Sequence, residues 1–204
     1  AFRKWFGDSK VVDERGDPLI VYHGAPDGRF VNETGVFMSL NDRYGAQEGV
    51  GVFWFARDKS TASSYADDRR AFDYQNAEPR VIPAYLKLEN PLVVDGGGKQ
   101  WREAQALGKT TDVIEKAKAE GHDGVIIRNV LDNYNNGPKT KATDTYVVFN
   151  SRQIKSIFNR GTWDATEPNI AFARRPRVDQ GPSLFDAMPK APGISPQMER
   201  VLTM

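Results

Sequence analysis

Tyr22-His23-Gly24-Ala25 sets an imidazole beside a glycine at the end of a β-rich apolar run that starts at Leu19. Histidine offers both a hydrogen-bond donor and an acceptor, and the adjoining glycine, lacking a side chain, lets a ligand approach the backbone closely. A second set follows. Gly49-Val50-Gly51-Val52-Phe53-Trp54-Phe55-Ala56 places glycines ahead of an aromatic strand, and Tyr65 comes 11 residues after Trp54, across a short helical segment. If strand and helix lie side by side, Trp54 and Tyr65 face one slot that can sandwich a flat heteroaromatic ring. Each pattern also has an ordinary structural reading, since strand-end histidines fix backbone and strand aromatics fill cores.

The elements that must hold these groups can be read from pattern and punctuation. The turn Gly16-Asp17-Pro18 leads into the first strand, Leu19 to His23, and the apolar run Gly51 to Phe55 predicts a second. Lys59 to Asp68 has the small, polar composition of a short helix. Arg80 to Leu88 alternates and stops at Asn90-Pro91, with Pro83 pointing to an edge or an irregularity. Gly96-Gly97-Gly98 is followed by no Lys-Ser/Thr pair and has no Rossmann spacing, so a turn is expected there and not a phosphate cradle. A helix is predicted over Thr111 to Glu120, capped by Thr110, Thr111 or Asp112 and stopped at Gly121. His122 falls in the turn before a strand at Val125-Ile126-Ile127. A loop rich in Asn, Gly and Lys, Asp132 to Thr143, then precedes the last strand, Tyr146 to Phe149. Short strands mixed with helices in this order predict an α+β fold.

Composition excludes several classes. In 204 residues, 28 Lys+Arg against 27 Asp+Glu leave a net charge of +1, unlike the basic excess of a protein built to neutralise a phosphate backbone. With no Cys there is no disulfide framework, Cys-based zinc site or thiolate nucleophile, and two His are too few for a polyhistidine metal centre. No apolar run approaches the roughly 18 to 20 residues that span a bilayer, and the N-terminal stretch lacks a signal-peptide core. A chain soluble in the cytoplasm, or an injected or secreted effector, is expected, without membrane contact. It begins at Ala1, so a longer parent protein is also expected. Pro176, Pro182, Pro189, Pro192 and Pro196 are five of its twelve prolines. They predict a domain over 1–172 and a Pro-rich tail over 173–204.

Taken in order, these blocks resemble the ADP-ribosyltransferase domains of phage and mobile-element polyvalent proteins, within the diphtheria-toxin and poly(ADP-ribose) polymerase-like class. The likeness rests on Trp5-Phe6-Gly7-Asp8-Ser9-Lys10-Val11-Val12, on the run from Gly16-Asp17-Pro18 to Val21-Tyr22-His23-Gly24, on Trp54-Phe55-Ala56 with Tyr65, on Tyr146 to Ser156, and on Asn159 to Asp164. The fold it implies has two small, mostly antiparallel sheets around an NAD cleft, with flanking helices. By the resemblance, His23 bonds a hydroxyl of the nicotinamide ribose and Gly24 clamps the carboxamide through its N–H and C=O. Trp54, with Phe55 beside it, lines the nicotinamide slot where the family usually has Tyr, and Tyr65 stacks on the ring.

Cleaving the nicotinamide–ribose bond develops positive charge on the ribose, which a fixed carboxylate stabilises. The class supplies a Glu at the start of its last catalytic strand. With Gln153-Ile154 set on the matching pair, that position falls on Thr145, preceded by Asp144. Adjacent strand residues point to opposite faces, so Asp144 reaches the site only through a bulge or an offset of one residue. Asp144 is the nominated catalytic acid; Asp73, Glu89 and Asp123 are alternatives. The loop before the strand, with Tyr134, Lys139 and Lys141 and running up to Thr145, is where the resemblance implies substrate recognition, and Arg57, Arg69 and Arg70 are candidates for the NAD pyrophosphate.

The expected activity is mono-ADP-ribosyl transfer from NAD, a substrate and not a resident cofactor, to a protein or nucleic-acid acceptor, with nicotinamide released and no metal. Two other readings stand beside it: a catalytically degenerate NAD-binding or interaction module, suggested by Thr145 and Trp54, and an NAD glycohydrolase using water as acceptor.

Overall fold

The structure, a computed structural model, describes residues 1–26, 35–37, 50–67, 79–101, 108–132, 141–159 and 163–170. In chain order these form α1 (Phe2–Phe6), β1 (Val21–Ala25), β2 (Val50–Ala56), α2 (Lys59–Ala66), β3 (Arg80–Leu86), β4 (Leu92–Asp95), α3 (Thr110–Ala119), β5 (Gly124–Val130), β6 (Thr143–Asn150), a 3₁₀ turn (Ser151–Gln153) and β7 (Ile154–Ser156). The tail over 173–204 lies outside the described residues.

The resemblance implies two sheets, and the strands instead form one seven-stranded sheet in the order β4-β5-β6-β2-β1-β3-β7. Its two halves, β4-β5-β6-β2 and β1-β3-β7, meet at β1 and β2 through the single register pair Tyr22↔Ala56. By contrast, β1 pairs with β3 over five positions. The halves are thus joined at a seam one residue pair long, which is where a two-sheet expectation and a one-sheet structure differ. All pairings are antiparallel except β4 with β5, whose parallel alignment requires a crossover, supplied by α3.

Side chains alternate along a strand, so cross-strand partners share a face. Tyr22, Ala56, Thr145 and Ile127 are partners in turn and define one face; His23, Phe55, Tyr146 and Ile82 define the other. On the His23 face lies the main core, built on Val21, Phe37, Phe53, Phe55, Leu86 and Val148 among others. On the Tyr22 face, α3 buries Val113 and Ala117 against Val125, Ile127, Val130 and Val147, and α2 buries Ala62 and Ala66 against Val81. The cap of α3 is Lys109 and not the expected Thr110, Thr111 or Asp112; the Asp112 carboxylate, one turn in, accepts from the Lys109 N–H at 3.2 Å, and Gly121 follows the helix end at φ +77°.

Pro83 sits in a strand flanked on both sides, not at an edge. Its carbonyl accepts weakly from the Ile157 N–H at 3.4 Å, so its ring nitrogen faces the same side, just past the last paired residue of β7, Ser156. The proline forgoes only the return bond to the Ile157 carbonyl, at the end of that ladder. At the chain's start, Phe2 packs on Tyr85 and Trp163 at 4.9 and 4.7 Å, and the Trp5 indole N–H donates to the Arg152 carbonyl. The blocks read as opening and closing the domain therefore touch.

Candidate active site

The site is built around the short seam between β1 and β2. Because Pro83 has no N–H and turns its carbonyl to β7, Tyr22↔Pro83 is a pair without ladder bonds. Gly24 is in phase with Tyr22, so its N–H and C=O point away from β3 and toward β2. A regular ladder continuing from Tyr22↔Ala56 would set Gly24 opposite Trp54. It does not continue, and Gly24 has no partner in β2.

The Trp54 carbonyl that would have closed that pair accepts instead from His23 Nδ1 at 2.7 Å. One side-chain bond thus replaces a rung of the ladder, and the strands part with a backbone donor and acceptor on Gly24 facing the gap. A carbonyl only accepts, so Nδ1 carries the proton and Nε2 is left as an acceptor. The imidazole packs edge-on to Phe37 at 5.0 Å and against Phe55 at 5.4 Å. Burial depresses its pKa from 6.5 to about 4, so it is neutral at pH 7.

The open side of Gly24 is not where its missing side chain would stand. A Cβ there would overlap the Ala62 carbonyl oxygen and come within 3.0 Å of the Ala66 nitrogen. Glycine at 24 is needed so that α2 can lie on β1, and any ligand meets Gly24 edge-on through N–H and C=O. That seating of α2 brings Tyr65 over the Tyr22 face.

Trp54 and Tyr65 project on that same face. Trp54 also stands edge-on to Trp101 at 6.3 Å, and so belongs in part to the packing under α3. Phe55 departs from its expected place: it is 1% exposed on the opposite face, where it buttresses the His23 ring and cannot line the slot. Thr145 departs too. It is a buried β6 residue and not part of a recognition loop.

The carboxylate at Thr145 is one that sequence reasoning missed. Thr145 Oγ1 donates to Asp132 Oδ2 at 3.2 Å, and the Tyr65 hydroxyl donates to Asp132 Oδ1. No cation pairs with Asp132 among the described residues. Burial raises its carboxyl pKa, and the two hydroxyl donors oppose that rise.

A β-bulge brings it there. Ile127 pairs with Thr145 but Val130 pairs with Thr143, so Arg128 and Asn129 together oppose Asp144. One extra residue reverses the facing of everything after it. Val130 therefore joins Ile127 on the Thr145 face, and Asp132, two residues on, follows. Asn129 takes φ +51°, a conformation Asn tolerates better than most residues. Its N–H donates to Asp144 Oδ1 at 3.0 Å, while the Gly96 and Gly98 N–H groups hold the Arg128 and Asn129 carbonyls.

This corrects the assignment of Asp144. A bulge exists as the argument for Asp144 required, but it lies in β5, and it turns Asp132 to the Thr145 face while Asp144 stays on the opposite face holding the bulge. The only trace of this in the chain is the polar pair Arg128-Asn129 between apolar Ile127 and Val130. The triple glycine likewise spends its N–H groups internally, Gly97 on Asp95 Oδ1 at 2.8 Å. It cradles no phosphate.

Other candidates are engaged elsewhere. Asp123 accepts from the Glu89 and Asn90 N–H groups at 2.6 and 3.1 Å, fixing the turn before β5. Glu89 pairs with Lys87 at 3.3 Å, and Arg57 is ion-paired to Glu14. His122 stays at its turn, against the Asn90 carbonyl at 3.1 Å. Lys141 is exposed beside β6. Tyr134, Lys139, Arg69, Arg70 and Asp73 lie outside the described residues. Among the described residues there is no cluster of His, Asp and Glu able to hold a metal, and no helix long and apolar enough to cross a membrane.

The family model described as ADP-ribosyltransferase in polyvalent proteins matches residues 13–163. No curated protein and no solved structure matches the chain.

Proposed function

The chain belongs to the family of ADP-ribosyltransferases in polyvalent proteins, and from that premise we propose that it transfers single ADP-ribose units from NAD to a macromolecular acceptor, protein or nucleic acid, releasing nicotinamide. The observation that carries this reading is the Gly24 donor–acceptor pair left open beside a neutral His23. A primary carboxamide has one acceptor oxygen and an NH₂ donor, the complement of one backbone N–H and C=O. Nicotinamide seated on Gly24 brings its ribose toward His23, whose unprotonated Nε2 accepts from a ribose hydroxyl. The Tyr65 ring stacks on the pyridinium, with Trp54 along the slot.

The nicotinamide–ribose bond then breaks with its electron pair leaving on nicotinamide, and the acceptor nucleophile bonds the ribose carbon. Water in the acceptor's place makes the same chemistry an NAD glycohydrolase. A catalytically degenerate binding module is the reading favoured by Thr145 in place of Glu. Nicotinamide release separates it from the enzyme: a parent protein that binds NAD but releases none under any condition is the module.

The test of the site is turnover of NAD by the purified protein, followed as nicotinamide release and as transfer of labelled ADP-ribose into candidate acceptors. His23→Ala is expected to lose both. Full activity in that variant overturns the assigned site.

A further inference from the structure

We propose that Asp132, carried onto the Thr145 face by the β5 bulge, supplies the carboxylate that faces the ribose of NAD. This rests on reading the gap at Gly24 as the nicotinamide seat. Three observations carry it. Asp132 is bonded to Thr145, where the resemblance implies a Glu. It is bonded to Tyr65, the residue assigned to stack on nicotinamide, so ring and carboxylate are fixed as one unit. It is a half-buried carboxylate held by two neutral hydroxyl donors, with no cation paired to it among the described residues.

In the reaction, the bond between the ribose C1′ and the pyridinium nitrogen breaks, and its electron pair neutralises the nicotinamide. The positive charge passes to C1′ and the ring oxygen. Ionised Asp132 stabilises that charge without gaining or losing a proton in this step. When the acceptor hydroxyl, amine or water bonds C1′, its proton passes to the Asp132 carboxylate and from there to solvent. Asp132 is thereby a catalytic residue, Thr145 and Tyr65 position it, and Asp144 acts one step further back by holding the bulge.

The experiment pairs NAD binding by calorimetry with nicotinamide release for the parent, Asp132→Asn, and the double variant Asp132→Asn/Thr145→Glu. Asp132→Asn keeps the shape and the acceptor oxygen but removes the charge; kcat is expected to fall about a hundredfold or more while the Kd for NAD stays within about threefold. The double variant, with the charge returned on β6, is expected to recover part of that loss. A kcat in Asp132→Asn within about threefold of the parent overturns the assignment.

Failure of the parent to bind NAD overturns the reading of the site itself. Should Asp132→Asn not fold, Thr145→Val decides. Tyr65, from α2, is the other titratable group bonded to Asp132 among the described residues. Removing the Thr145 donor takes away an interaction that favours the ionised carboxyl, so the acid limb of kcat moves to higher pH. His23 is bonded to the Trp54 carbonyl and not to Asp132, so this change leaves its own titration untouched. An unmoved limb overturns the assignment.

Discussion

Thr145 Oγ1 donates to Asp132 Oδ2 at 3.2 Å across 13 residues of chain, and that contact exists because β5 carries one residue more than β6 between Ile127 and Val130. In an unbulged hairpin, Val130 and Asp132 would share a face with Asp144, and Thr145 would have no carboxylate beside it.

The bulge is therefore open to direct test. Asn129→Val places a β-branched residue at φ +51°, where such side chains are strained, and is expected to cost about 1–2 kcal/mol. Urea midpoints measure that cost. Asp144→Ala removes the acceptor for the Asn129 N–H at a cost near 1 kcal/mol. Both variants are expected to lower kcat for nicotinamide release more than they weaken NAD binding. An Asp144→Ala enzyme with parental kcat would show that the bulge holds without it.

Gly24→Ala should be among the most damaging single-methyl additions in the domain. The new Cβ meets the backbone of α2 at Ala62 and Ala66, which has no rotamer with which to yield. The helix must lift from β1, at an expected cost of about 3 kcal/mol, at the upper end of ordinary overpacking penalties. Gly97→Ala, with no atom within 4 Å of the added carbon, is the steric control, though its φ of +63° adds strain of its own. A smaller loss in Gly24→Ala than in Gly97→Ala would contradict the packing described.

His23 makes stability depend on pH in a definite direction. Its imidazole titrates at about 4 in the folded protein against 6.5 ordinarily, because burial disfavours the charged form. Between these values the unfolded chain takes up a proton that the folded chain refuses. Stability is thus fully present above about pH 6.5 and falls as pH is lowered toward about 4. Urea midpoints of the parent and of His23→Asn between about pH 4 and 7 should converge at low pH. Parallel curves would mean that His23 is not held neutral.

Tyr65→Phe keeps the stacking ring and removes one of the two hydroxyls on Asp132. NAD affinity is expected to change little. The acid limb of kcat should rise, since a donor that favours ionised Asp132 is gone. A large loss of NAD binding with an unchanged limb would instead assign the hydroxyl to the ligand.

Lys155 is buried completely, with Nζ donating to the Glu167 and Asn169 carbonyls at 2.7 and 2.8 Å. Those bonds strap residues 163–170 onto β7, where the Ser156 N–H donates to Ile170 O and the Ile170 N–H to Gly35 O. Lys155→Met fills the space but leaves two carbonyls without their donor, at about 1–3 kcal/mol. Amide exchange at Ser156 and Ile170 should quicken while that of β5 and β6 stays slow. Uniform acceleration across the sheet would place Lys155 in the global core and not in the strap.

Residue types and order were enough to locate the strand carrying His23-Gly24, the aromatic strand with Trp54, the helix with Tyr65 and the amphipathic helix stopped at Gly121, because each is a local pattern of period, cap or turn. The ordered blocks also sufficed for the family. What could not be read locally are relations between strands. That the β1–β2 ladder stops after one rung, leaving Gly24 open, follows from Pro83 setting the phase on one side and His23 taking the Trp54 carbonyl on the other. That Phe55 backs His23 and does not line the slot follows from which face the sheet buries. Above all, Asp132 and not Asp144 reaches Thr145, because side-chain facing has a period of two and a single inserted residue inverts it, while the bond that fixes the insertion, Asn129 N–H to Asp144 Oδ1, joins residues 15 apart.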